Sequence, residues 1–228
     1  MNRQRVTGII LLWLSFAPGL LAQKISLKYW KAEDHSGQMS IEVSGDTLDI
    51  ISPMGVTLWY TPRLTGDYEI SYATRVLMQG ASSDRLSDLN CFWGANDPQY
   101  PDNLYAQSEW RQGIFQRYKS LKLFYVGYGG NNNSTTRFRE YLGLGAEASD
   151  ESTRPLIKEY IDEEFLLKPN CWMHICIRVE KNITTYKADG KELFLYSIKK
   201  GQGDGNFGLR LLQNHIQITS FKVKKISE

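Results

Sequence analysis

The chain has 228 residues, 42% of them hydrophobic and 12% aromatic, with 27 Lys and Arg against 25 Asp and Glu and three cysteines. Its small positive excess lies in Arg3 and Arg5, ahead of an apolar run; the remainder is balanced at 25 against 25 and lacks the basic excess that neutralises nucleic-acid phosphates. Three cysteines make no disulfide framework, and their spacings fit no zinc site.

Arg3 and Arg5 precede the apolar stretch Val6 to Ala22, which contains Pro18 and Gly19 and closes on a small residue. That is the pattern of a secretory signal peptide cut between Ala22 and Gln23, and the run is short for a retained membrane anchor. The expectation is therefore a periplasmic or extracellular protein with no membrane attachment after cleavage, residues 1–22 being the signal and 23–228 one domain. A chain of roughly 200 residues can bury the core of a single all-β domain.

From there strand follows strand. Met39, Ile41 and Val43 alternate with polar residues, Ser44-Gly45-Asp46 turns, and Leu48 and Ile50 resume the alternation. Val56, Leu58 and Tyr60 alternate before Pro62, and Tyr68, Ile70, Tyr72, Thr74 and Val76 face one way ahead of the polar loop Gly80 to Asp88. Leu121 to Tyr128 is apolar or aromatic at both parities, as in a strand covered on both faces. Gly129 to Ser134 then reverses the chain into Thr135 to Tyr141, where Phe138 points one way and Arg137, Arg139 and Tyr141 the other. Asp150 to Phe165 is the one place for a helix, with Pro155 in its first turn.

Met173, Ile175, Ile177 and Val179 form a core stripe opposite Trp172, His174, Cys176 and Arg178. Cys171 and Cys176 in that strand would lie about 16 Å apart on opposite faces, beyond disulfide reach, so any bridge must use Cys91. Asp189-Gly190 joins two further strands, and Gly205 to Leu212 and His215 to Ile226 complete the set, with a bulge expected near Thr219-Ser220 where the apolar parity changes. Many short strands with turn punctuation predict an all-β, two-sheet antiparallel jelly-roll sandwich of the concanavalin type.

The motifs of zinc proteases, serine hydrolases, P-loops and Rossmann folds are missing, and Gly201 to Gly205 leads into a strand rather than a helix. Two clusters remain. Tyr125, Tyr128, Asn131, Arg137 and Arg139 combine rings with guanidinium groups, which suit sugar faces, hydroxyls and carboxylates. Trp93, Asn96 and Asp97, followed by Tyr100, Asp102, Asn103 and Tyr105, give a second aromatic and amide mixture. No cofactor is expected; calcium on Asp97, Asp102 and Asn103 is the one metal option, and no known loop spacing supports it. The plain alternatives are a solvated arginine face and a core tryptophan beside an Asx turn.

Phe92-Trp93 through Asp97-Pro98, Arg111-x-Gly113-x-Phe115-x-x-Tyr118, Tyr125 to Asn131, Thr135 to Arg139, and Phe207 to Arg210 with Asn214-His215 together resemble a concanavalin-type jelly-roll family. It is similar to the YesU-like proteins that accompany pectin and rhamnogalacturonan utilisation and to secreted members common in Bacteroidetes. The resemblance implies glycan-related work over residues from Lys24 onward and supplies no agreed catalytic residues. Two functions follow as expectations. One is an enzyme, a polysaccharide lyase or one of glycoside-hydrolase-like activity; in the lyase Arg137 or Arg139 neutralises a uronate carboxylate, Tyr125, Tyr128 or His174 removes the adjacent proton, and Trp93, Asn96, Asp97, Arg111, Tyr128, Asn131 and Arg139 hold the oligosaccharide or polysaccharide. The other is a carbohydrate-binding module that uses the same surface without chemistry.

Overall fold

The structure, a computed structural model, describes residues 25–82 and 84–226, so the signal peptide expected over 1–22 and its cleavage site lie outside the described residues. Two long strands, β3 (Thr47–Leu64) and β12 (Gly205–Lys225), pair antiparallel along almost their whole length and run through both layers of a sandwich. In the first layer their Leu64 and Gly205 ends are flanked by β1 (Trp30–Asp34) on one side. On the other side come β5 (Leu89–Asn96), β6 (Lys122–Gly129), β7 (Thr135–Leu142) and β8 (Leu156–Tyr160). In the second layer the opposite ends are flanked by β2 (Ser40–Ser44) and by β4 (Tyr68–Val76), β9 (Met173–Glu180), β10 (Ile183–Ala188) and β11 (Lys191–Ser197).

The passage between layers occurs where Gly55 pairs with Leu212 and the register of β12 slips before Asn214, with Gln213 at φ 49°. One extra residue bends a strand without ending it. Segments that the alternation separates, Ile50 from Val56 and Leu212 from His215, are therefore continuous. The expected second bulge is present as a register shift between Thr219 and Lys222, with Ser220 at φ 55°.

Period-two alternation fills the space between the layers: Tyr68, Ile70, Tyr72, Thr74 and Val76 of β4 all point inward. Across the interface Trp93 of β5 stacks on Tyr186 of β10 at 6.3 Å between ring centroids, and Phe138 of β7 stacks on Phe194 of β11 at 5.3 Å. The turn after β6 puts Gly129, Asn131, Asn132 and Asn133 at positive φ, a conformation that glycine and asparagine tolerate best. The stretch expected to hold a helix has two short helical turns, Asp150–Thr153 and Glu163–Phe165, with β8 between them. Pro155 stands just before that strand, where its missing N–H costs no ladder bond. All three cysteines are free, and Cys171 precedes β9 instead of lying within it.

Strand β6 is buried on both faces, as its composition requires. Phe124, Val126 and Tyr128 enter the core between the layers, while Leu123 and Tyr125 join Trp59, Phe92, Tyr118 and Tyr141 in a second apolar cluster on the outer face. Residues 97–121, three short helical turns, cover that cluster. The cover touches β3 backbone to backbone: a Cβ on Gly113, whose φ is 72°, would stand 2.2 Å from the Gly55 carbonyl oxygen and 2.7 Å from that of Glu33. Gly37 has a similar φ of 64° with nothing within 4 Å. Gly37→Ala should thus cost only left-handed strain, about 1–2 kcal/mol, whereas Gly113→Ala should exceed about 3 kcal/mol. Urea unfolding of the two variants measures the difference, and equal costs would mean that the cover shifts freely.

Candidate functional site

On the outer face of the first layer β6 presents Tyr125 and Gly127, and β7 presents Arg137 and Arg139. Their register sets Tyr125 opposite Arg139 and Gly127 opposite Arg137. The Tyr125 ring lies along its own strand above Gly127, where a Cβ would meet the phenol oxygen at 2.6 Å, so the glycine makes room for the ring. The cover adds Phe115, 5.8 Å from the Tyr125 ring, and the Arg154 guanidinium lies 5.0 Å from Phe115. These groups enclose a cavity of about 170 Å³, which Asp88 and Asn131 also line.

Three guanidinium groups meet there, and their partners differ. Arg137 donates to Glu159 of β8, and Arg154 pairs with Asp150 and donates to the Tyr141 hydroxyl at 3.3 Å. Arg139 has no carboxylate within 4.0 Å among the described residues; its Nη1 donates to the Arg154 carbonyl at 2.8 Å. Burial, and after it the neighbouring Arg154, pulls the Arg139 pKa below its usual value. Arg154 Nε is buried without a partner, and Asp88, the one carboxylate lining the cavity, is engaged by Arg85. A chain of formal net charge +2 thus concentrates cations at this point.

The cover is fixed by one buried network. Arg111, fully buried, places Nη2 2.8 Å from Glu33 Oε1 and Nη1 3.5 Å from Asp97 Oδ2, and donates to the Leu104 carbonyl. Glu33 also accepts from the Ser108 hydroxyl at 2.7 Å and from the Tyr118 hydroxyl. Arg210 of β12 lies under the cover, donating to the Val56 carbonyl at 2.9 Å with its guanidinium 5.4 Å from the Phe115 ring.

Of the residues expected at a site, Tyr125, Asn131, Arg137 and Arg139 are brought together, and six are not. Trp93 points into the core and donates from Nε1 to Thr184 Oγ1 at 2.9 Å, so it offers no ring to a ligand. Arg111 and Asp97 are tied up with Glu33 in that buried network. Asn96 donates to the Gly94 carbonyl at 2.9 Å and to that of Asp204, and lines a separate cleft of about 750 Å³. Tyr128 has the opposite parity to Tyr125 and turns inward. His174 is exposed in β9 of the second layer, on a different sheet face from Arg137.

The calcium option does not fit either. Asp97 already receives Arg111 on Oδ2 and the Gln99 N–H on Oδ1 at 3.0 Å, and Asn103 caps a turn by accepting from the Tyr105 N–H at 3.0 Å. Among the described residues no three His, Cys, Asp or Glu side chains converge on a metal position. Sequence reasoning missed Glu33, Asp88, Phe115 as the cavity wall, and Arg154. Phe115 alone had a signal, its place three residues before Tyr118 in the quoted run.

No curated protein sequence matches the chain. The sequence profile described as "Domain of unknown function (DUF6250)" matches residues 50–221. Similar solved structures include a Bacillus subtilis protein of unknown function with a galectin-like fold, at 14% identity over 90% of this chain and 93% of that one with a TM-score of 0.65. The carbohydrate binding module CBM66 from Bacillus subtilis is similar at 10% identity over 86% and 96%, TM-score 0.54. The VIP36 exoplasmic/lumenal domain in its Ca2+/Man3GlcNAc-bound form is similar at 11% identity over 91% and 88%, TM-score 0.53. These likenesses establish the jelly-roll fold. No helix among the described residues is long and apolar enough to cross a membrane.

The cluster's phenols give a pH signature. Burial pushes the pKa of Tyr125, Tyr118 and Tyr141 above the ordinary tyrosine value, so the folded chain keeps protons that the unfolded chain releases above about pH 10. Their contribution is complete below that pH and is lost as pH rises toward the folded values, at up to about 1.4 kcal/mol per pH unit for each phenol. Denaturant unfolding should therefore show stability falling steeply above about pH 10, and Tyr125→Phe should lower that slope by one proton's worth. An unchanged slope would mean that Tyr125 is open to water.

Proposed function

The chain belongs to the DUF6250 family, a domain of unknown function, and from that premise we propose that it binds carbohydrate through the cavity between β6 and β7. The ligand is a sugar bearing a carboxylate, a uronate within an oligosaccharide or polysaccharide. The observation that carries this reading is Arg139: half-buried, opposite Tyr125, flanked by Arg137 and Arg154, and without a carboxylate of its own among the described residues. Holding a cation this way is unfavourable until an anion arrives, and a guanidinium pairs with a carboxylate through two parallel bonds. Tyr125 and Phe115 supply ring surface for the apolar face of the sugar, and Asn131 supplies an amide for its hydroxyls.

Support comes from three directions. The fold is shared with a carbohydrate-binding module and with a lumenal domain captured with a mannose-containing oligosaccharide. The likeness to YesU-like proteins favours a plant-type acidic glycan, and the signal-like start favours work in the periplasm or outside the cell. Binding without chemistry is preferred over β-elimination because burial holds the Tyr125 phenol protonated, which makes it a donor and a poor base at neutral pH. His174, the alternative base, sits in the other layer.

Calorimetry with an oligogalacturonate and with its methyl ester tests the reading. The acid should bind and the ester should bind far more weakly. Arg139→Ala should cost about 1.5–3 kcal/mol of affinity, the range for a hydrogen bond to a charged group, and Arg137→Ala should cost less because Glu159 already balances it. No unsaturated uronate product should form. Unchanged affinity in Arg139→Ala, for an acidic glycan that the parent binds, would overturn the assignment.

A further inference from the structure

We infer a second binding pocket, for a single neutral sugar ring, at the end of the sandwich where β4, β5, β6 and β9 meet. A cavity of about 180 Å³ lies there, lined by Thr74, Arg75, Tyr128, Trp172 and Asp189 and by the apolar Val76. It is separate from the arginine cavity, and its argument does not depend on the acidic-sugar reading.

Its lining contains polar groups that the protein leaves unused. Thr74 is fully buried and closes the floor of the cavity. Tyr128 is 4% exposed, and burial raises its pKa to about 12, so its hydroxyl stays a donor; no protein atom among the described residues accepts from it. Asp189 receives the His174 N–H on Oδ1 at 2.8 Å and keeps Oδ2 for a ligand.

One wall is aromatic and held in place. Trp172 is 43% exposed, and the Arg75 guanidinium lies 4.5 Å from its ring centroid. Arg75 is itself held by Gln217 Oε1, which accepts from Nε at 2.9 Å and Nη2 at 2.6 Å. An exposed indole held in place by a cation suits the apolar face of a pyranose.

Charge decides the ligand class. Arg75 and Lys168 are matched by Glu164 and Asp189 around this cavity, whereas three arginines face one aspartate around the other. A balanced lining with a free phenol hydroxyl, a free carboxylate oxygen and an indole selects a neutral polyol with an apolar face. The volume of about 180 Å³ takes in one ring.

Cys171 gives a local readout, since it is exposed and lines this cavity, while Cys91 is buried with its thiol pushed up to about 12. Neutral hexoses, pentoses and 6-deoxyhexoses are screened on the whole protein by saturation-transfer NMR, and iodoacetamide labelling of Cys171 is followed by mass spectrometry. At least one sugar should give saturation transfer and slow Cys171 labelling severalfold. Tyr128→Phe, which keeps the ring and removes the hydroxyl, should weaken that sugar about tenfold without lowering thermal stability. Trp172→Ala should abolish binding, and Arg139→Ala should leave it intact, which separates this pocket from the acidic-sugar site. No protection by any sugar in the panel, or a Tyr128→Phe variant that binds like the parent, would overturn the proposal and leave the Tyr128 hydroxyl to water.

Discussion

Arg111, buried between Glu33 and Asp97, is the contact on which the functional face depends. Taking one cation and two carboxylates out of water is expensive, and the cost is offset only because nearly every remaining donor and acceptor is met: Leu104, Ser108 and Tyr118 all bond into the network. Such an arrangement adds little net stability over an apolar core, but it strongly disfavours any other placement of residues 97–121. Gly113 and Gly55 then let the cover approach β3 backbone to backbone, and Phe115 comes to rest against Tyr125. Without that ring the arginine cavity would be an open strand face.

The same economy explains β6. A strand with one wet face would need polar residues at alternate positions, and β6 has none between Leu123 and Tyr128 because the opposite layer takes one parity and the cover takes the other. Polar function is displaced onto its neighbour β7, whose outward residues are Arg137, Arg139 and Tyr141. The cavity thus sits at the border between the covered aromatic cluster and solvent. Desolvation strengthens electrostatics there while a ligand can still enter.

Much of this was legible in the sequence, and what was not has physical reasons. Alternation in Tyr68–Val76 and Met173–Val179, the Asp189-Gly190 turn and the glycine and asparagine turn after β6 each appear where their local chemistry demands. Tyr125 with Arg137 and Arg139 could be paired because a short turn fixes their register. Trp93 could not be placed, since β5 is buried at both parities and composition does not say which of Phe92 and Trp93 faces the core. Arg111 reads as a glycan-binding arginine because its partner Glu33 lies 78 positions away. Arg154 was hidden in a stretch expected to hold a helix, and the continuity of β3 and β12 depends on bulges that only pairing reveals.

Hydrogen exchange on Arg111→Met tests the central claim, that a buried ion network holds an independent cover over the site. Amides in residues 97–121 should lose protection by orders of magnitude while those of β4, β9 and β10 keep theirs, because the core between the layers does not use the network. Unchanged protection across 97–121, or loss shared equally by every strand, would contradict it.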